Sequence, residues 1–370
     1  MRQRQFGFSL VELMIAILLA SITAVVVLNV LTSFQARKAT TAGRNDAQIG
    51  AAVAIYAVEK EVRMAGAGLM TPNGQMCAVG VNIYYGGDTI SDGAPLMPVR
   101  IIDGGAGVPD TIEIVRSNSD FGAAPTRLVA TMASSGGTIS IDSSAGLTDG
   151  DLMMVGASDG SKLCTLMQLT QAPAVNGSGW TLTHASGASE YNPADPTASF
   201  ANAVTYEVRD KVMNMGRFGI RRFGIVCSDG AAPAADNNCD LGSYDALAFP
   251  APTMADIASI APQIVELQAQ YGVAPAASQV VNEWVDASGG TWAAPSAANQ
   301  RRIKAVRIAI IARGARDGQV VSPASLRLFE ADASMGTAAV DRALTADEQH
   351  YRYQVLSVVI PVINILWAGV

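Results

Sequence analysis

Glu12 is the residue in this chain whose surroundings most constrain its chemistry. It is the single charged side chain in an apolar run from Phe8 to Leu31, and a carboxylate inside a membrane segment costs at least a few kcal/mol if unpaired. It calls for an opposite charge; the plainer alternative is an interfacial glutamate tolerated by the positive end of the helix dipole. Four cysteines, Cys77, Cys164, Cys227 and Cys239, allow three pairings and suit two disulfides in a body exported to an oxidising compartment. Cys227 and Cys239 are near neighbours in sequence and form the favoured pair, which leaves Cys77 for Cys164. No Cys-x-x-Cys occurs and the only histidines are His184 and His350, so a cysteine–histidine metal centre is not indicated.

Asp229, Asp236, Asp240 and Asp245 collect carboxylate oxygens in one loop, the donor type that Ca²⁺ takes. The loop lacks an Asp-x-Asp-x-Asp-Gly pattern, so it is a Ca²⁺ candidate by composition alone, and no other cofactor is expected. Gly156-Ala157-Ser158-Asp159-Gly160 fits the Gly-x-Ser-x-Gly pattern of a nucleophile elbow, but an elbow needs a strand-turn-helix setting, a base and an oxyanion hole. Nothing marks either histidine as a general base, and no enzymatic activity is expected. Arg301, Arg302, Lys304, Arg307, Arg313 and Arg316 form the one basic concentration. Strand periodicity spreads it over two faces as a solvated surface, with DNA or a neighbouring subunit as the sharper alternative.

The element that must position Glu12 is a long helix. From Phe8 to Leu31 the chain has 24 residues, about 36 Å of helix, against a bilayer core of roughly 30 Å. No proline occurs before Pro72, the pattern continues through Arg37 and Lys38 without a signal-peptide cleavage site, and Gly66 and Gly68 supply an end near residue 65. Arg2 and Arg4 favour a cytoplasmic N-terminus. Beyond Leu31 the helix becomes amphipathic, and Ile49, Val53, Ile55, Tyr56 and Val62 are the candidates for packing on a body. Gly43 and Gly50 each lower helix stability by about 1 kcal/mol, which marks them as places for local melting.

The remaining residues, about 300, are enough to bury a core of their own. Charged residues are 15% of the chain and glycines number 35, a composition closer to a secreted β-rich protein than to a cytosolic enzyme. The net charge of −7 argues against a protein that coats nucleic acid. Val265, Leu267, Ala269, Tyr271 and Val273 alternate with polar residues, as do Val306, Ile308 and Ile310, the two-residue period of half-buried strands. Residues 142–151, 229–245 and 286–299 read as loops. The apolar stretch from Val355 to Trp367 contains Pro361 and reads as a buried strand.

Gly7-Phe8-Ser9-Leu10-Val11-Glu12 ahead of that apolar run resembles the cleavage and methylation motif of type IV prepilins and related pseudopilins. The resemblance implies cleavage between Gly7 and Phe8, N-methylation of Phe8, and pairing of Glu12 with the N-terminal amine of a neighbouring subunit during docking. Asn29 stands where major pilins often carry proline. The segments Val58 to Gly68, Asp110 to Arg116, Val265 to Val273, Lys304 to Arg313, and Tyr351 to Asn364 narrow it to PilW-type minor pilins, although Ile363 replaces an arginine common there. The expected fold is α+β and type IV pilin-like: a leader over 1–7, a helix over about 8–65, and a large β-rich body over 69–370 in one or two lobes. Residues 8–31 are its membrane and polymerisation half, and 32–68 carry its amphipathic half and exit.

The implied function is that of a minor pilin that initiates assembly or forms the fibre tip, serving twitching motility, adhesion or DNA uptake. The implied partners are other minor pilins, the major pilin, the prepilin peptidase and the inner-membrane assembly platform, with DNA or a host surface beyond them. Its implied location is the bacterial inner membrane with the body in the periplasm, then the extracellular pilus. The alternatives are a type II secretion pseudopilin and a pilin-anchored adhesin.

Overall fold

The computed structural model describes residues 9–71, 74–77, 79–119, 125–144, 146–228 and 238–367. One helix, Leu10–Met64, opens the chain and runs unbroken for 55 residues, about 82 Å at 1.5 Å per residue. It ends as the glycines require: Ala65 turns to extended backbone, and Gly66 and Gly68 adopt left-handed φ of 76° and 81°, open to glycine at little cost.

The body is built of β-sheets. A four-stranded antiparallel sheet, in the order Glu283–Val285, Ile264–Val273, Ile303–Arg316, Tyr351–Pro361, receives the helix. Beside it lies a five-stranded antiparallel sheet, Ala258–Pro262, Cys239–Asp245, Gly219–Cys227, Thr111–Arg116, Val99–Ile102. Helix and both sheets share one core: Ala51, Ala54, Val58 and Val62 from the helix, Leu267, Tyr271, Ile308 and Ile310 from the first sheet, and Ile101, Ile112, Ile114 and Phe223 from the second. Tyr271 joins the two sheets, its hydroxyl accepting from the Ile101 N–H at 2.6 Å.

Further from the helix, a six-stranded sheet runs Asp88–Ala94, Val81–Tyr85, Cys164–Gln168, Leu152–Gly156, Lys211–Gly216, Pro125–Arg127, with one parallel pair. Successive side chains feed opposite faces: Met154, Leu166 and Met213 enter one core and Met153, Met167 and Val212 another. The second of these is closed by the small sheet Ala174–Asn176, Gly179–Thr183, Thr138–Ile141.

Four sequence expectations change. A bulge between Ile264 and Glu266 breaks the alternation, sending Val265 to a separate core while Leu267, Ala269, Tyr271 and Val273 face the helix. The sheet is also buried on both sides, because the ribbon Ser325–Phe329 with Val340–Ala343 folds over its outer face with Leu328 and Phe329. The C-terminal stretch is a strand only to Pro361; the ring cannot continue a ladder, and residues Ile363–Trp367 form a short helix. Within 286–299, Gly290–Ala293 and Ala297–Gln300 make single helical turns.

Candidate functional site: the N-terminal helix and its seat in the body

Glu12 lies in the first helical turn, and its carboxylate folds back to accept the Ser9 N–H at 3.2 Å. A carboxylate there satisfies an orphan donor and meets the positive end of the helix dipole. It is thereby held next to the backbone that follows Phe8. Gly7 and Phe8 themselves lie outside the described residues.

From Leu10, 74% exposed, to Leu31, 50% exposed, the large apolar side chains all face outward. Leu10–Gln35 is long and apolar enough to cross a membrane, and none of it is buried in the body. So extended an exposed apolar surface marks a segment made for lipid or protein contact.

The helix enters the body at Gly43. A Cβ added there would stand 2.9 Å from the Ala315 Cβ, and one added at Gly50 would stand 3.3 Å from the Pro262 carbonyl. The buried stripe then runs Ala47, Gly50, Ala51, Ala54, Val58, Val62, small residues at steps of three and four that let the sheet approach closely. This corrects the packing face expected from hydrophobicity. Ile55 and Val62 are buried, but Ile49 is 63%, Val53 44% and Tyr56 68% exposed, because the face that meets the sheet is the one carrying the small residues. At the exit, the Asn364 side-chain amide donates to the Ala65 carbonyl at 2.9 Å, capping a carbonyl the helix leaves unpaired. The Gly66 N–H donates to the Val115 carbonyl at 2.8 Å, and Arg116 pairs with Glu61 at 2.7 Å.

Two family models match the two parts of this arrangement. The prokaryotic N-terminal methylation motif matches residues 2–28, covering the prepilin-like motif and most of the exposed apolar half. The model for type IV pilus-assembly protein W matches residues 244–364, which hold all four strands of the helix-receiving sheet and end on Asn364. The chain matches a PilW-type pilin with a prepilin motif. A search of curated proteins finds no match. Both matched families are pilus proteins rather than enzymes, and they imply other pilins and a prepilin peptidase as partners.

The cysteines form two disulfides, Cys77–Cys164 and Cys227–Cys239. The first spans 87 residues and ties the chain leaving the helix to the six-stranded sheet; the second spans 12 and closes the hairpin of Gly219–Cys227 with Cys239–Asp245. By loop-closure entropy they are worth on the order of 4–5 and 3 kcal/mol.

The other sequence candidates are not brought together. Asp229 and Asp236 lie outside the described residues. Asp240 accepts from Ser259 Oγ and the Gln263 N–H, and Asp245 from the Ile220 and Leu247 N–H groups. Among the described residues no group of three His, Cys, Asp or Glu is placed to hold a metal ion. Gly156 to Gly160 joins two adjacent antiparallel strands, without the helix an elbow requires. His184 is buried at 3% exposure, its Nε2 without a partner among the described residues, and burial holds its pKa down to about 4. His350 ends a single helical turn before Tyr351.

Only part of the basic concentration is a solvated surface: Arg301 and Arg316 are exposed and Arg302 is half-buried. Lys304, Arg307 and Arg313 are buried. Arg307 stacks between Trp284, at 5.0 Å, and Phe329, at 4.4 Å, and donates to Gln270 at 2.6 Å. Arg302 lies over Trp292, and Arg313 and Arg316 over Tyr351. Covering by the ribbon and stacking on aromatic rings take up groups that the sequence leaves looking free.

Sequence reasoning missed the latch on that ribbon. Arg342 donates to Glu266 at 2.8 Å and to Glu348 at 2.6 Å, all three buried. Its members lie on three separate elements, and no local pattern joins them. It also missed Asp110, a buried carboxylate held by the Gly104 and Ala269 N–H groups. Asn364 was visible as part of a family-like segment, but not as a helix cap.

Proposed function

We propose that this chain is a minor pilin of a type IV pilus. Its precursor is held in the bacterial inner membrane with the body in the periplasm. Prepilin peptidase cuts it between Gly7 and Phe8, and the Phe8 amine is methylated. The mature helix then packs among other pilin helices, at the fibre tip or in the complex that starts assembly. The observation that carries this reading is the helix itself: an exposed apolar half bearing one carboxylate, continuous with a half seated in a β-rich body.

The mechanism is assembly without a reaction. Moving the Leu10–Leu31 surface from lipid into a bundle of helices exchanges one apolar environment for another, so packing and polar pairing supply the drive. Glu12 supplies the polar pairing. Its carboxylate is turned toward the helix N-terminus, where it can meet an amine, and a charge pair in lipid lacks water to compete with it. Glu12→Ala is expected to abolish incorporation into fibres while leaving the folded body and both disulfides unchanged. Normal amounts of the variant in purified fibres would overturn the role.

A further inference from the structure

A cleft of 280 Å³ opens where the five-stranded sheet meets the edge of the six-stranded sheet. Its floor is a row of charged groups. Arg100, Glu113 and Arg222 stand at paired positions on three adjacent strands, and Tyr244 continues the row on a fourth. Their chain neighbours Ile101, Ile112 and Phe223 point into the core beneath the helix, so the row occupies the opposite face. Glu113 is buried and serves both cations. It takes Arg222 through Nε at 2.9 Å and also through Nη2, and Arg100 through Nη1 at 3.3 Å. Arg222 is further engaged by the Tyr244 hydroxyl at 2.8 Å.

Arg100 is different. It is half exposed and lines the cleft, and its one bond, through Nη1 to Glu113, leaves Nε and Nη2 without a partner among the described residues. Two guanidinium groups on one carboxylate leave the floor with one positive charge in excess, and among the described residues no other charged side chain lines the cleft. The other lining residues are apolar apart from Ser91; Ile90, Ala94, Pro95 and Pro250 keep accessible surface, while Val81, Ile83, Leu96 and Met97 are almost wholly covered. A planar cation at one end of an apolar trough matches a carboxylate with an apolar body, since the guanidinium fork fits a carboxylate edge. A volume just below the range of about 300–1,000 Å³ usual for small-molecule sites suits a compact ligand.

We propose that this cleft binds a small amphipathic carboxylate, its headgroup on Arg100 and its acyl or arylalkyl body along Ile90, Ala94 and Pro95. The excess of a single charge favours a monoanion; a dianionic phosphate would also press against Glu113. The proposal is independent of the fibre role, since the cleft faces away from the helix seat.

Calorimetric titration of 3-phenylpropionate into the full chain in lipid nanodiscs tests it, with empty nanodiscs as the blank and neutral 3-phenylpropionamide as the uncharged probe. Saturable binding of one carboxylate per chain is expected, with the amide at least about tenfold weaker because a charge-assisted bond is lost. Arg100→Gln should weaken the carboxylate at least tenfold and leave the amide unchanged. Ala94→Phe, at an exposed position on the cleft rim, should block both probes without altering thermal unfolding. No saturable binding to the wild type, or binding by both variants at wild-type strength, would overturn the proposal.

Discussion

Replacing Asp110 by asparagine should change how the body responds to pH. Burial raises the Asp110 pKa from 3.8 to about 7, against the pull of the Gly104 and Ala269 N–H groups. The folded state therefore holds a proton that the unfolded chain has lost, and this contribution to stability is present at low pH and lost as pH rises through 7. Between pH 5 and pH 8 the loss is about 2.7 kcal/mol, at roughly 1.36 kcal/mol per pH unit over which the two states differ by one proton. His184 acts with the opposite sign. Burial lowers its pKa from 6.5 to about 4, so the unfolded chain binds the extra proton, and stability is gained as pH rises through 6.5. Over the same interval that gain is about 2 kcal/mol. The two nearly cancel, so together they should change wild-type stability by under about 1 kcal/mol between pH 5 and pH 8. Asp110→Asn leaves the histidine alone, so stability should rise by about 2 kcal/mol across the interval; His184→Gln should make it fall by about 3 kcal/mol. Urea unfolding at the two pH values reads both slopes. The hydrogen bond that Asp110→Asn loses offsets its curve without tilting it. A wild-type slope in Asp110→Asn would refute the assignment of a buried, protonated carboxylate.

Arg342→Ala should destabilise the body by about 3–5 kcal/mol, because it leaves Glu266 as an unpaired buried carboxylate; a loss under about 1 kcal/mol in urea unfolding would contradict the latch. Gly43→Val should loosen the helix from the body by about 1–3 kcal/mol through overpacking on Ala315, outweighing any gain in helix propensity. Ala315→Gly in the same chain should restore part of that loss, and additive losses would show that the two do not touch.

How far the sequence foretold this structure depended on the range over which each feature is encoded. The helix and its end were readable because proline is absent before Pro72 and the stops Gly66 and Gly68 are local. The Cys227–Cys239 pair followed from proximity, the two facing each other across one hairpin, and Cys77–Cys164 from what that pair leaves over. The seam was misread because hydrophobicity points to Ile49, Val53 and Tyr56, whereas close approach selects Gly43, Ala47, Gly50 and Ala51. Val265 was placed on the wrong face because a bulge shifts parity without a sequence mark. The arginines were misjudged for a third reason: Arg307 and Arg313 are buried by the ribbon and by Tyr351, both distant in sequence. The charged row was likewise hidden, since Glu113 and Arg222 are 109 residues apart and meet only through strand pairing.

Glu12 and the motif around it would make this chain a processed subunit of a fibre. That role is tested most directly by the mass of the N-terminal peptide of the protein recovered from purified pili. The expected peptide begins at Phe8 and carries a methylated amine. A chain still beginning at Met1, or absence of the protein from the fibres, would contradict it.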